Sequence, residues 1–381
     1  MERLGVGLVG CGNISTIYLE NLPHFAGVAV RAVSDVRLEA AQAQGAAFGV
    51  PAVPVGDLLK RGDVDIVVNL TVPEAHAEVS LDALSAGKHV FSEKPLAAGL
   101  DDGRRLVGEA ETRGLALGCA PDTFLGAGGR LARRLVDEGT IGEVLSGTAF
   151  ILSHGMEHWH PDPEFFFKPG GGPVMDMAPY YLTALVNLLG PVKRVRAATS
   201  TGFAERIISA EGPRTGERIR VETPTNAHAL LEFSGGAQVM LAASWDVWAH
   251  GHPRLELYGT DGSLRPPDPN FFGGGVALTD RGGPWREQDS SALPLGRPNW
   301  PADAPQQANY RGLGVAELAA GLRSGRVQRA NGRLALHVLE VMTAIVGDSP
   351  DGGPVEIETR VARPEPLAEA EAARYLAGRE S

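Results

Sequence analysis

Val6-Gly7-Leu8-Val9-Gly10-Cys11-Gly12-Asn13-Ile14-Ser15 is the stretch on which the fold turns, because an apolar run ends in closely spaced glycines where a helix can begin. A strand of this kind delivers its backbone to a tight turn. Gly10 supplies the turn, and Gly12 lets the main chain approach a pyrophosphate at the N-terminus of the next helix, whose first turn holds Asn13 and Ile14. Ser15 stands where the third small residue of G-x-G-x-x-G is expected, and serine is small enough for close helix–strand packing. Asp35 closes a second apolar run, Val28 to Ser34, and a carboxylate there can accept hydrogen bonds from the adenosine ribose hydroxyls. The cofactor this implies is NAD, since a 2′-phosphate would meet Asp35 as a like charge. Arg37 can stack on adenine or partly neutralise that phosphate, which leaves NADP open. The plainer alternative is a glycine turn with a helix-capping aspartate.

Outward from this stretch, short apolar runs alternate with helical periodicity as far as residue 120, the pattern of a parallel sheet built from βαβ units. Strands are predicted at Gly5–Val9, Val28–Ser34, Val64–Leu70, His89–Ser92 and Leu115–Cys119, with helices over Val36–Phe48 and Ala75–Ala86. Residues 1–122 therefore read as an α/β Rossmann dinucleotide-binding domain. Residues 123–381 read as an α+β domain with a large, mostly antiparallel sheet, used for substrate binding and oligomerisation. Its linking helix runs from Phe124 to Glu138, and hairpins follow at Ser234-Gly235-Gly236 and Thr260-Asp261-Gly262. Helices over Asp176–Leu189 and Arg333–Val346 cover one face of that sheet, and the uncovered face predicts a homodimer or homotetramer. Residues 266 to about 308 are rich in proline and glycine without periodicity, and are expected to form a long loop able to cover a site.

The 381 residues suffice for two cores, and the apolar and charged fractions of 43% and 21% are those of an ordinary globular chain. Only Cys11 and Cys119 occur, so no disulfide framework is implied and a cytoplasmic location is expected. No apolar run reaches membrane-spanning length, and a net charge of −11 argues against nucleic-acid binding. Among the basic residues arginine dominates, and lysine is confined to positions 60, 88, 94, 168 and 193. A lysine here asks whether a compact ammonium or a proton donor is needed.

Lys94 lies in Glu93-Lys94-Pro95 at the end of the fourth strand, and ligands of doubly wound sheets bind at the carboxyl ends of strands. Proline fixes the backbone there and would hold Lys94 over the crevice with Glu93 beside it; a surface ion pair before a turn is the alternative. One strand earlier, Thr71, Pro73 and His76 line the cofactor or else cap and pack a helix. Farther on, Ser153 to Pro161 is dense in histidine. Its spacing could bind a metal, but no cysteine or carboxylate cluster accompanies it, and no metal is assigned. Trp159 offers an aromatic face to a sugar ring, and His158 or His160 offers hydrogen bonds to hydroxyls. Asp122 and the run Asn309-Tyr310-Arg311 are weaker substrate-side candidates, each able simply to cap its helix.

With Gly10-x-Gly12, Asp35, Thr71-x-Pro73-x-x-His76, Gly87-Lys88-His89-Val90 and Glu93-Lys94-Pro95 in order, the chain resembles the Gfo/Idh/MocA oxidoreductases, the glucose-fructose oxidoreductase family. The resemblance continues through Gly170-Gly171-Gly172 to Asp176-Met177-Ala178-Pro179-Tyr180, where members usually carry D-x-G-x-H. Here alanine replaces the glycine and Tyr180 the histidine, which is similar to a tyrosine-containing subset of the family. What the resemblance implies is hydride transfer between a nicotinamide and a secondary alcohol or ketone of a sugar, polyol or cyclitol, with Lys94 and residue 180 serving proton transfer and Asp176 orienting substrate or lysine. It also implies pairing of subunits through the open sheet face. An NAD-using glycosidase without net redox change, or a sugar-sensing regulator that has lost the chemistry, remain as alternatives. On the residues themselves, a helix starting near Asp176 puts Tyr180 one turn on, facing the same way. Pro179 is expected in the first turn, and Asp176 is either a functional carboxylate or the N-cap, bonded to the Ala178 amide. A phenol with a pKa of about 10 would be made more acidic by Lys94 and a positive nicotinamide ring.

Overall fold

The structure is a computed structural model in which residues 3–299, 307–347 and 353–376 are described. Five parallel strands form the first sheet: β1 (Leu4–Val9), β2 (Val28–Ser34), β3 (Ile66–Asn69), β4 (His89–Ser92) and β5 (Leu117–Cys119), in the order β2-β1-β3-β4-β5. Their near-continuous Val/Ile/Leu content suits strands covered on both faces, and every residue of β3 is buried. Between them run α1 (Asn13–Asn21), α2 (Leu38–Phe48), α3 (Val55–Lys60), α4 (His76–Ser85) and α5 (Leu100–Arg113). At Gly10 the chain leaves β1 with φ +101°, and a Cβ there would sit 2.5 Å from the Leu70 carbonyl, so only glycine makes this turn.

The second sheet has nine strands, in the order β15-β14-β13-β12-β6-β11-β10-β7-β16. They are β6 (Val144–Leu152), β7 (Val192–Ser200), β10 (Asn226–Phe233), β11 (Gln238–Ser244), β12 (Leu255–Gly259), β13 (Gly262–Arg265), β14 (Val276–Asp280), β15 (Arg286–Gln288) and β16 (Val355–Glu356). A separate two-stranded ribbon joins β8 (Glu205–Ile207) to β9 (Arg218–Arg220). All neighbours in the large sheet are antiparallel except β6 and β11. One face packs against α7 (Gly172–Leu189) and α9 (Gly332–Val346). The other face carries a row in which Arg196, Leu230, Met240, Thr148 and Glu256 lie side by side in register. Met240 in this row is 43% exposed.

Four expectations change. The helix expected over Phe124–Glu138 is split into a 3-10 turn, Thr123–Leu125, and α6 (Ala127–Asp137). Gly126 breaks it because its Cα lies against the Phe272 backbone, where a Cβ would be 2.2 Å from the carbonyl oxygen. The long loop expected from 266 to about 308 contains β14 and β15; every residue of β15 is exposed at the sheet edge, and no apolar alternation announces it. Residues 300–306 of that expected loop lie outside the described residues. Helix α7 starts at Gly172 with Pro173 in its first turn, and Pro179 sits inside it. The chain holds two prolines there, and the earlier one begins the helix. Asp176 is therefore not the N-cap, which is Gly171.

The chain does not stay in its second half. Helix α8 (Leu313–Ser324) packs on β2, β4 and β5, and the Cys119 amide donates to the Ala330 carbonyl at 3.0 Å. Helix α9 packs on α5 as well as α7, and α10 (Glu369–Tyr375) packs on α8. Residues far along the sequence thus complete one face of the first sheet and bring α7 against the end of β4.

Candidate active site

The glycine turn and the N-terminus of α1 form an open cradle. A Cβ built at Gly12 would meet no atom within 4 Å, and the amides of Asn13 and Ile14 in the first turn have no acceptor within their own helix. Asp35 is drawn to the rim of this cradle: one carboxylate oxygen accepts from the Cys11 amide at 2.8 Å and the other from the Arg37 amide at 2.9 Å. The Arg37 side chain is exposed, 4.0 Å from Asp35. Free space above helix-end donors with a carboxylate at its side fits a dinucleotide, the pyrophosphate over Gly12 and the ribose at Asp35.

On the neighbouring strand end, the Thr71 hydroxyl donates to Asn69 at 2.7 Å, and Pro73 opens the 3-10 turn leading to α4. His76 and Glu93, expected at the cofactor, lie beneath it. The His76 ring is buried, with Nδ1 2.7 Å from the Pro95 carbonyl and Nε2 3.0 Å from the Thr71 carbonyl. Its contacts staple the two strand-end turns together, and burial pulls its pKa below the ordinary histidine value despite those bonds. Glu93 spends one oxygen on the Tyr18 hydroxyl, at 2.9 Å, and the other on the Lys94 amide, at 3.0 Å. Both side chains hold the backbone that carries Lys94.

Lys94 reaches across to α7, where Nζ donates at 2.7 Å to both the carboxylate and the main-chain carbonyl of Asp176. A proline inside a helix loosens the turn before it, and Pro179 places that loosened turn where the ammonium enters. The same ammonium lies 5.3 Å from the centre of the Tyr180 ring. Burial alone would lower the Lys94 pKa; the charges of Asp176, Tyr180 and Glu93 outweigh it and hold the group above the ordinary lysine value. Lys94 is thus a fixed cation, and the one-turn spacing of Asp176 and Tyr180 brings both to it even though the helix starts earlier than its sequence suggests.

Asp122 is displaced from its expected role. It is 1% exposed and its carboxylate accepts the Gly312 amide at 3.2 Å and the Gly314 amide at 2.7 Å, so it anchors the turn into α8 instead of facing a substrate. Burial raises its pKa to about 6 against the pull of the Gly314 amide and Arg311. That turn carries Arg311, which the sequence offers as a weak substrate-side candidate or a helix cap; its guanidinium is buried and donates to the Asn309 and Asn270 side chains at 2.9 and 2.8 Å.

His158 and Trp159 are exposed, while His160 packs edge-on against Trp159, Phe165 and Phe166. None of the three makes a hydrogen bond or ring contact with Lys94, Asp176 or Tyr180 among the described residues. Their loop is pinned by Glu157, which pairs with Arg206 at 2.8 Å, and leads to the turn Glu164–Phe167 on α7. Among the described residues no three His, Cys, Asp or Glu side chains gather to hold a metal ion.

A dinucleotide cradle at the first turn of the parallel sheet, and a lysine at the end of its fourth strand bonded to a carboxylate beside a tyrosine on α7, define a nicotinamide-dependent oxidoreductase. The chain belongs to the Gfo/Idh/MocA family: residues 4–120 match the oxidoreductase family model of the NAD-binding Rossmann fold, and residues 130–265 match the GFO/IDH/MocA C-terminal domain. It is an enzyme of that family, an NAD(P)-dependent dehydrogenase or reductase whose Rossmann domain takes NAD. Over 274 residues it is 37% identical to the dTDP-3,4-didehydro-2,6-dideoxy-alpha-D-glucose 3-reductase of Streptomyces violaceoruber, covering 69% of this chain and 72% of that one. The myo-inositol 2-dehydrogenase of Thermotoga maritima is 26% identical over 262 residues, 68% of this chain and 74% of its own. In fold the chain is similar to levoglucosan dehydrogenase in complex with NADH, with a TM-score of 0.79 at 21% identity over 94% of this chain and all of that one.

Proposed function

We propose that this enzyme interconverts a secondary alcohol and a ketone on a sugar, polyol or cyclitol. The carrying observation is the Lys94 ammonium pinned at 2.7 Å to Asp176 beside the Tyr180 ring. A bound nicotinamide supplies or accepts the hydride. Lys94 binds and polarises the reacting oxygen, and Tyr180 gives or takes the proton at its Oη. Asp176 keeps the ammonium aimed at the substrate. Trp159, with His158 and His160, offers the far wall on which a hydroxylated ring can rest. The relatives support the substrate class: the two curated enzymes above are named for a deoxysugar nucleotide and for inositol. A regulator without chemistry would have no need to retain the Lys94–Asp176 pair.

Asp35 further implies NAD in preference to NADP, because its carboxylate would oppose a 2′-phosphate. The test is absorbance of the reduced nicotinamide with a panel of sugars, polyols and cyclitols, run with each cofactor. Turnover with NAD on at least one of them is expected, with kcat/KM at least about tenfold lower for NADP. Equal or better use of NADP would overturn the preference, and substrate cleavage without net NADH would favour the glycosidase reading.

We infer a homo-oligomer as well, formed through the open face of the large sheet around Leu230 and Met240. Light scattering should give a dimer or tetramer mass; a monomer mass independent of concentration would contradict this. The free, buried Cys11 and Cys119 fit a cytoplasmic setting.

A further inference from the structure

On α6 the residues Arg130, Arg133, Arg134 and Asp137 recur at helical spacing, which gathers three guanidiniums and a carboxylate on one stripe. That stripe does not look into open water, because the chain from Arg363 to Glu369 is tied across it. Arg133 Nη1 donates to the Pro364 carbonyl at 2.9 Å, and Arg130 Nη2 donates to Glu369 at 2.7 Å. Arg363 reaches back to the same place, with Nη1 2.7 Å from Asp137 and Nε donating to the Asn187 carbonyl at 2.8 Å.

Between the helix and this segment lies a cleft of about 300 Å³, at the lower end of the range for small-molecule sites. Phe124, Leu125, Leu367 and Ala368 give it an apolar wall, and Arg133 and Arg134 a polar one. It is remote from Lys94: Asn187, which also lines it, lies about three turns, roughly 16 Å, along α7 from Asp176.

The arginine charges are answered by neighbours, since Asp137 is shared by Arg133 and Arg363 and Glu369 by Arg130 and Arg134. Donors are left over. Arg133 Nε bonds Asp137, and Nη1 bonds the Asn187 carbonyl, the Asn187 side chain and the Pro364 carbonyl. Its Nη2 makes no hydrogen bond among the described residues, although the side chain is only 9% exposed. Beside it, Arg134 also makes none, and its partner oxygen on Glu369 is 3.8 Å away. Covered polar groups are ordinarily bonded, and a guanidinium edge beside an apolar wall has the geometry that a carboxylate accepts with two oxygens. Glu138 and Glu365 border the cleft too, but both are exposed and screened by water.

We propose that this cleft is a second ligand site, taking a small organic monocarboxylate whose head group rests on Arg133 and Arg134 and whose apolar body lies against Phe124, Leu125 and Leu367. A single negative charge suits it, because a second would be set against Asp137 and Glu369 as well as the two glutamates at the rim. Neither Lys94 nor Tyr180 takes part.

The test is calorimetric titration of the full chain, saturated with NAD so that the cradle is filled, using 3-phenylpropanoate as the probe and 3-phenylpropanol as its uncharged control. One molecule should bind per chain with a Kd below about 10 mM, and the alcohol at least about tenfold more weakly, as expected for the loss of charge-assisted hydrogen bonds. Arg133→Met should weaken the probe at least about tenfold. Because Arg133 also fastens the Pro364 segment, Ala368→Trp, which fills the cleft without deleting a side-chain hydrogen bond, carries the same expectation, including where Arg133→Met does not melt cooperatively. Absence of saturation by about 10 mM, equal affinity for the alcohol, or unchanged affinity in either variant that folds would overturn the proposal. The last of these results would put the probe at the substrate site or elsewhere on the surface.

Discussion

Lys94→Met should lose at least about 10³-fold in turnover while still binding NAD, because one removed electrostatic donor at a reacting oxygen typically costs 10² to 10³ and this one also orders its neighbours. Methionine keeps the length and apolar stem of lysine, so the cleft does not collapse; what disappears is a cation that burial disfavours and that Asp176, Tyr180 and Glu93 nevertheless hold charged. The loss has a structural side as well. Asp176, with about four-fifths of its side chain covered, would have neither its carboxylate nor its carbonyl bonded to an ammonium. A destabilisation of roughly 1 to 3 kcal/mol is expected for such an unpaired group, readable as a lower urea midpoint. Lys94→Arg should not rescue the rate, because a planar fork cannot replace a compact ammonium donating to two oxygens of one residue. NADH formation in steady state, with NAD affinity by calorimetry as control, settles the matter: turnover within tenfold of wild type in Lys94→Met would remove the lysine from the mechanism.

Tyr180→Phe is expected to lower kcat by about 10² to 10⁴, the usual range for a positioned general acid or base. The substitution deletes one oxygen. The ring, whose centre lies 5.3 Å from the Lys94 ammonium, stays buried on α7, so cofactor binding and melting temperature should hardly move. A solvent-exposed tyrosine could be bypassed by water, but Tyr180 is buried, with the Lys94 ammonium beside its ring. If the variant turns over at nearly the wild-type rate on its substrate, the proton passes through another group, and His158 or His160 would be examined next. A loss of NAD affinity parallel to the loss of rate would instead make Tyr180 a binding residue.

The two variants touch residues that differ in how far they could be read before the fold was known. Gly10, Gly12 and Asp35 were legible because the requirements that select them are local: a turn with positive φ, an uncovered helix end, a carboxylate at a strand terminus. Lys94 was legible from its position after a strand and before a proline. The joint placement of Asp176 and Tyr180 survived an error in the helix start, since spacing of one turn depends on helical period and not on where the helix begins. His76, Glu93 and Asp122 were drawn toward the ligand by their chemistry alone, and only burial shows that they hold backbone in place.

Along this chain the sequence alone determined the parallel sheet, the glycine turn at its first strand end, and the one-turn spacing that sets Asp176 and Tyr180 beside Lys94. All of these follow from short-range rules of backbone conformation and periodicity. Tertiary structure decided the rest. Strand β14 forms where β13 offers it a partner, and the exposed edge strand β15 where β14 does in turn. Helix α8 returns to the first sheet from far along the chain, and the turn that opens it is fastened to Asp122. Contacts of that range depend on which surfaces remain to be buried once the local elements exist, and no window of sequence contains that information.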